Sequence, residues 1–337
     1  MSAPEPALQP SLARRGVRLA LLGCASTVLV ALAFAQTDVA AARRVAEGAN
    51  LSWLVAGCGL MTVGLAFLAA RWRALMPTSV NVQLIPLTAI LVTGTLLNYA
   101  LPGPVGEFVA AGMAARRWKL PPEQTFAAGV HARFVGLALA GIVALALFLL
   151  ADMPVPEGYQ KGVGTATAMV AAGGVVLFVL SSRPALLRGV ARWILSLPFW
   201  PARLVQTLQP RCDALADALA TVGNLGFQRY AVATAWALGG HACVVGGIGI
   251  VAMGLGATPN LAGLLFTYAM TTAGAVVLFA FPGSQVGWDA LLSGLLAFAA
   301  GVPLAIAVGV AVIARVQQLF VVLLGAVAMV FYTEDAG

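Results

Sequence analysis

The chain has 337 residues, of which 61% are hydrophobic and only 9% are charged. Soluble globular domains carry about 25% charged residues, so this composition excludes an ordinary water-soluble fold and predicts a protein surrounded mainly by lipid. The net charge of +7 could suit nucleic acid, but the basic residues flank hydrophobic segments, so membrane orientation explains them better.

The N-terminal segment allows three interpretations. Basic residues end at Arg18, Ala33-Phe34-Ala35 resembles a signal-peptidase site, and Leu21-Leu22-Gly23-Cys24 resembles a lipobox. Only four apolar residues separate Arg18 from Gly23, which is short for a signal core. We therefore favour an uncleaved first helix and leave cleavage and lipidation of Cys24 open.

Six apolar stretches approach or exceed the length of about 20 residues that a membrane-spanning helix needs. They cover residues 19–35, 51–70, 126–150, 163–180, 231–255 and 303–331.

Two further apolar regions are interrupted by proline and glycine. Region 83–114 is broken at Leu101-Pro102-Gly103-Pro104, and region 261–299 is broken at Phe281-Pro282-Gly283-Ser284. Proline lacks an amide donor and glycine is a poor helix former, so each region predicts two short helices joined at a break.

The distribution of Lys and Arg predicts that each broken region is a re-entrant hairpin. In that topology 14 basic residues lie on inside loops and three lie outside, as the positive-inside rule favours. Both termini are then cytoplasmic. The inside residues are Arg14, Arg15, Arg18, Arg71, Arg73, Arg116, Arg117, Lys119, Arg183, Arg188, Arg192, Arg203, Arg211 and Arg229, and the outside residues are Arg43, Arg44 and Lys161.

Segment 183–229 is the longest predicted loop. Its apolar residues recur at three- and four-residue spacing from Leu204 to Val222, which predicts an amphipathic helix on the cytoplasmic surface. A simple orienting loop is the alternative.

The two broken regions share one layout, which predicts an inverted repeat within a single membrane domain, 1–337. Glu107 precedes Arg133 and Asp289 precedes Arg315 by the same 26 residues (133 − 107 and 315 − 289). The repeats are 83–150 and 259–332. Three predicted crossings separate the broken regions, so the second copy is upside down, as in many transporters.

These motifs resemble a known family. Asn98-Tyr-Ala-Leu-Pro-Gly-Pro-Val-Gly-Glu107, the Arg133 helix, and Phe281-Pro-Gly-Ser-Gln-Val-Gly-Trp-Asp289 with Arg315 are similar to the lysylphosphatidylglycerol synthase transmembrane, flippase-like, family. The resemblance covers about residues 51–332. It implies a membrane protein that handles lipids, and its members include hopanoid-biosynthesis-associated proteins of similar length.

The chain departs from the family pattern at several positions. Ala110 stands where an arginine follows the Gly-Glu pair, Gly136 stands where an acid is expected near Arg133, and Asp289 replaces Glu. Residues 284–286 replace a glycine-rich turn. The family's soluble aminoacyl-transferase domain is missing, so we do not expect lipid aminoacylation.

The candidate binding residues lie around the two breaks. Arg133 and Arg315 fall near mid-bilayer, where a guanidinium could bind a lipid phosphate or form a structural salt bridge with Glu107 or Asp289. The two acids could take up protons or cap short helices. The expected hairpin tips, which could hold a head group or be plain turns, comprise Asn98, Pro102, Gly103, Gly106, Pro282, Gly283 and Gln285.

Three smaller features have a structural interpretation. Gly129, Arg133 and Gly136 share a helix face, which predicts close helix packing. His131 and His241 could relay protons, but hydrogen bonding between helices is the favoured interpretation. The cysteines show no pairing or metal-ligand spacing.

The sequence therefore predicts an all-α polytopic inner-membrane protein with about six full transmembrane helices and two re-entrant hairpins. Its predicted function is to move or bind an anionic or isoprenoid lipid. No catalytic, cofactor or metal motif is present, so we predict a non-enzyme whose partners are membrane lipids. An intramembrane enzyme on lipid phosphates, or a non-transporting accessory subunit bound to lipid-biosynthesis enzymes, are the alternatives.

Overall fold

The computed structural model describes residues 45, 47–100, 105–151, 155, 157–198, 200–278 and 284–334. Every regular element within these residues is α-helical. In chain order the helices are α1 Leu51–Leu75, α2 Leu84–Ala100, α3 Val105–Trp118, α4 Pro122–Leu150, α5 Glu157–Ser181, α6 Pro184–Leu195, α7 Ala202–Gly223, α8 Phe227–Gly254, α9 Leu261–Leu278, α10 Ser284–Ala299 and α11 Leu304–Glu334.

Among the described residues, five helices are long and apolar enough to cross a membrane, namely α1, α4, α5, α8 and α11. They coincide with five of the six predicted spans, so the chain is a multi-pass membrane protein. The remaining predicted span, 19–35, lies outside the described residues.

Both ends of α1 are fixed by polar side chains. At its start Asn50 accepts hydrogen bonds from the backbone amides of Ser52 and Trp53 at 3.1 and 3.4 Å. At its end Arg229 of α8 donates from Nε to the carbonyl of Ala74 at 2.9 Å and also binds the carbonyl of Met76. These bonds satisfy backbone groups that a helix leaves without partners at its ends.

Helices α1 and α8 pack antiparallel along a seam of small residues. The amide of Asn50 donates to the Gly254 carbonyl at 2.8 Å. One and two heptads further along α1, Gly57 lies against Gly247 and Gly64 lies against Gly240. Because glycines face each other, the backbones approach closely, which is how helices commonly associate in lipid.

The short helices form two antiparallel pairs. In the first, Gly94 of α2 lies against Gly106 and Ala110 of α3. In the second, the Asn260 amide just before α9 donates to the Ala300 carbonyl just after α10 at 2.9 Å, and Gly263 packs on the backbone of residues 299–300. Each break predicted from the sequence therefore separates two helices that pack side by side.

The two pairs contact the long helices reciprocally. Helix α3 packs against α4 and its partner α2 packs against α11, whereas α10 packs against α11 and its partner α9 packs against α4. Each antiparallel pair thus bridges the two long helices α4 and α11.

The predicted amphipathic helix is present as α7, but its C-terminal half is buried against the membrane helices. Leu219 and Val222 are 5% and 4% exposed and contact the α4 side of the core. Arg188 of α6, a helix not predicted from the sequence, forms an ion pair with Asp217 of α7. Helix α7 is therefore part of the packed fold and not only a surface segment.

The α1–α8 seam predicts a position-specific response to an added methyl group. In Gly57→Ala the new Cβ would lie 2.7 Å from both the Gly247 carbonyl oxygen and Val251 Cγ2, so the helices must separate. Overpacking of this kind costs about 1–3 kcal/mol. We expect a lower melting temperature for the purified protein in detergent.

Gly59→Ala is the matched control, because a Cβ at Gly59 meets nothing within 4 Å. Alanine is also the better helix former, so this variant should melt at the wild-type temperature or slightly above it. Equal destabilisation by both substitutions would contradict the close packing.

Candidate functional site

The first candidate site joins the start of α3 to α4. Glu107 Oε1 lies 2.8 Å from Arg133 Nη2, and Asn98 at the end of α2 donates to the same carboxylate oxygen at 3.2 Å. The Asn98 amide oxygen accepts from the Gly106 backbone amide at 2.7 Å. Asn98 therefore caps α3 and orients the acid that binds the long helix.

The second candidate site joins α10 to α11 in an equivalent way. Arg315 donates to both carboxylate oxygens of Asp289, from Nη2 at 2.7 Å and from Nε at 3.1 Å. Its Nη1 donates to Gln318 Oε1 at 3.1 Å, and its guanidinium lies 5.4 Å from the centre of the Trp288 ring. This guanidinium is held by a carboxylate, an amide and an aromatic face.

The two ion pairs differ in exposure. The Arg315 and Asp289 side chains are 13% and 32% exposed, whereas those of Arg133 and Glu107 are both 36% exposed. Since screening by water weakens an ion pair, the second pair is the stronger link between its helices.

The described residues contain part of each candidate site. Pro102, Gly103, Pro282 and Gly283 lie outside the described residues, and for Gln285 only the helical backbone at the start of α10 is described. The described part of the first site contains Asn98, Gly106, Glu107 and Arg133. The described part of the second contains Asp289 and Arg315.

The structure also contains a functional candidate that the sequence analysis assigned to a flank. Arg71 belongs to α1, and its guanidinium packs on Gly136, the middle residue of α4, where a Cβ would collide with Nη1. Its Nε is shielded from solvent. Arg71 lies only four residues before the end of α1, so counting along the sequence placed its charge at the membrane boundary.

Both histidines form contacts between helices. His131 Nε2 lies 3.1 Å from the Leu219 carbonyl of α7, and its Nδ1 lies 2.8 Å from the Tyr230 hydroxyl of α8. His241 Nδ1 of α8 lies 3.3 Å from the Tyr268 hydroxyl of α9. The hydrogen-bonding interpretation of these two residues is therefore confirmed.

A model of the lysylphosphatidylglycerol synthase transmembrane region matches residues 17–325. The chain belongs to this family. The match includes both ion pairs and all the helices from α1 to α10, and it confirms the resemblance inferred from the two Pro-Gly motifs. No curated protein and no solved structure matches the chain. The association of this lysylphosphatidylglycerol synthase-type membrane region with hopanoid biosynthesis stays a prediction.

The different exposure of the ion pairs predicts different coupling energies. Arg315→Gln alone leaves a shielded carboxylate without its guanidinium and should lower stability by roughly 3 kcal/mol. The double variant Arg315→Gln with Asp289→Asn should recover much of this loss, because neither charge remains.

The matched cycle is Arg133→Gln with Glu107→Gln, whose more exposed side chains should couple by about 1 kcal/mol or less. Unfolding in detergent, followed by tryptophan fluorescence, measures both cycles. A larger coupling energy for Glu107–Arg133 than for Asp289–Arg315 would contradict the prediction that the less exposed pair is the stronger one.

Proposed function

We propose that this protein carries an anionic or isoprenoid lipid between the leaflets of the bacterial inner membrane. The two α3- and α10-containing pairs would be re-entrant hairpins, one from each face, and the lipid head group would enter the polar space between them. The observation that carries the proposal is the repeated link from the acid of a broken helical pair to an arginine inside a long apolar helix.

The packing of the helices supports an inverted repeat. The units α1–α4 and α8–α11 each run long, short, short, long, and their first helices lie antiparallel. Each unit's short pair also contacts the other unit's long helix. Two similar units of opposite orientation are the architecture in which rocking of one unit against the other gives alternating access.

The charged residues support an anionic head group. Charges inside a membrane protein are unfavourable unless they are paired, and they commonly mark substrate paths. Arg133 is already paired with Glu107, so an incoming phosphate would compete with the carboxylate for the guanidinium. Such an exchange would loosen α3 from α4 only when substrate is bound, which couples lipid entry to movement of the hairpin.

A transport assay with charge-neutral pairs separates this role from a structural one. The protein is reconstituted in vesicles containing phosphatidylglycerol with a fluorescent acyl chain, and lipid movement is read by quenching the outer leaflet. Arg315→Gln with Asp289→Asn, and Arg133→Gln with Glu107→Gln, should fold but translocate at the rate of empty vesicles. Arg73→Gln, on the exposed end of α1, is the control and should translocate at the wild-type rate. Wild-type rates in both double variants would contradict the carrier.

The two alternative functions give different results in the same preparations. An enzyme would convert the labelled lipid to a product detectable by mass spectrometry. An accessory subunit would co-purify with a lipid-biosynthesis enzyme and would not respond to the arginine substitutions. Lipid-biosynthesis enzymes are expected as partners only if the protein is an accessory subunit.

The proposed topology makes a separate prediction about labelling. A hairpin that returns to its starting side keeps residues 116–119 in the cytoplasm, on the side opposite Lys161, with both termini cytoplasmic. Single cysteines at Arg117 and Lys161, in a chain without its native cysteines, should react with an impermeant maleimide from opposite sides of the membrane. Labelling of both from the same side would rule out the hairpin.

A further inference from the structure

Arg71 differs from the two predicted intramembrane arginines because no carboxylate of the described residues forms an ion pair with it. Arg133 and Arg315 each contact an acid at 2.7–2.8 Å. Within the described residues Arg71 has no carboxylate within 4.0 Å, and its Nε is buried without a hydrogen-bond partner. The residue as a whole is only partly buried.

Four helices surround the Arg71 guanidinium near the centre of the bundle. Gly136 of α4 provides the space that the guanidinium occupies. Tyr268 of α9 lies within electrostatic range of Arg71, and its hydroxyl also contacts His241 near the middle of α8. Helix α4 packs against α1, α8 and α9, and α8 also packs against α1 and α9.

Helix α9 adds a second unpartnered polar group. Thr271 follows Tyr268 by one helical turn, so the two residues are neighbours on the helix surface. Thr271 is 0% exposed, and its hydroxyl has no hydrogen-bond partner in the described part of the chain. A buried polar group without a partner is unfavourable, as is a buried charge without a counter-charge. An oxyanion between α1 and α9 would remove both penalties.

The electrostatic surroundings also favour an anion. Arg133 lies close enough to Arg71 to raise the positive potential there, while Glu107, also within range, is held by Arg133 and Asn98. A guanidinium presents paired donors that match two oxygens of a phosphate, and hydroxyl groups can donate to the others.

We propose that Arg71, with Tyr268 and Thr271, binds a phosphate group at the centre of the α1–α4–α8–α9 bundle. The phosphate is either that of a lipid head group or free inorganic phosphate. The site adds a binding residue, Arg71, to the proposed carrier and rests on that function only for the lipid source. In this arrangement Arg71 adds a third guanidinium to the two that are paired with Glu107 and Asp289.

Binding to the purified full-length protein tests the site directly. Native mass spectrometry of protein in mild detergent, titrated with phosphatidylglycerol or with uncharged diacylglycerol, measures lipid affinity. Wild type should prefer phosphatidylglycerol, and Arg71→Gln should bind it about tenfold more weakly or worse. Arg71→Lys keeps the charge and should retain part of the affinity.

Two further variants sharpen the comparison. Gly136→Asp places a carboxylate against the Arg71 guanidinium and should weaken binding as much as Arg71→Gln does. Arg73→Gln removes a charge two residues away on α1 and should bind as wild type does. Equal phosphatidylglycerol affinity in wild type and Arg71→Gln would overturn the proposal, as would an equal loss in Arg73→Gln.

Inorganic phosphate distinguishes the two sources of the ligand. If phosphate, at an ionic strength kept constant with chloride, competes with phosphatidylglycerol and raises the melting temperature, the site accepts the free anion. If phosphatidylglycerol binds without competition, the site requires the lipid. Binding of neither probe would overturn the proposal.

Thermal unfolding separates a ligand site from a structural arginine. In ligand-free detergent Arg71→Gln removes an uncompensated charge, so its melting temperature should equal or exceed that of wild type. A clear fall would indicate a structural role and overturn the proposal. Arg71-dependent binding in a wild-type protein that translocates no lipid would keep the site and reject the carrier.

Discussion

The fold depends on neutralising charge among helices that have almost no water around them. An arginine between apolar helices must be matched by an acid, an aromatic face or a ligand, because the bilayer offers no substitute for hydration. Arg133 and Arg315 meet this requirement through Glu107, in the first turn of α3, and Asp289, in the second turn of α10. The same contacts fix how each short helical pair lies on its long helix. The pairing of charges therefore also determines how these helices pack.

The sequence predicted the parts of this arrangement that depend on short-range patterns. Hydropathy located α1, α4, α5, α8 and α11, since each is a continuous apolar run. The equal spacing from Glu107 to Arg133 and from Asp289 to Arg315 predicted a repeat, and the need of each mid-bilayer arginine for a partner indicated the ion pairs that the structure contains. The pairs form because each acid lies on the short helix after a break and each arginine lies inside the next long helix, which packs against that short helix.

The features that the sequence did not predict depend on which helices meet. Arg71 was assigned to a loop because it is near the end of α1, but Gly136 lets its side chain reach the middle of α4. Helix α7 looked like a surface helix because half of it is amphipathic, yet Leu219 and its carbonyl contact α4 through His131. The tertiary fold decides which helices pack together, and the hydropathy and residue spacing of a single sequence do not indicate it.

The two halves of the structure share one arrangement of helices, but their ion pairs differ in exposure. This difference bears on how movement could begin. Asp289 and Arg315 form a two-bond pair that Trp288 shields. Glu107 makes a more exposed contact with Arg133 and shares its carboxylate with Asn98. The Glu107–Arg133 ion pair is therefore the weaker of the two links between a short helix and its long helix. Since Arg71 lies within electrostatic range of both Glu107 and Arg133, an anion bound at the proposed Arg71 site would act on this weaker pair and not on Asp289–Arg315.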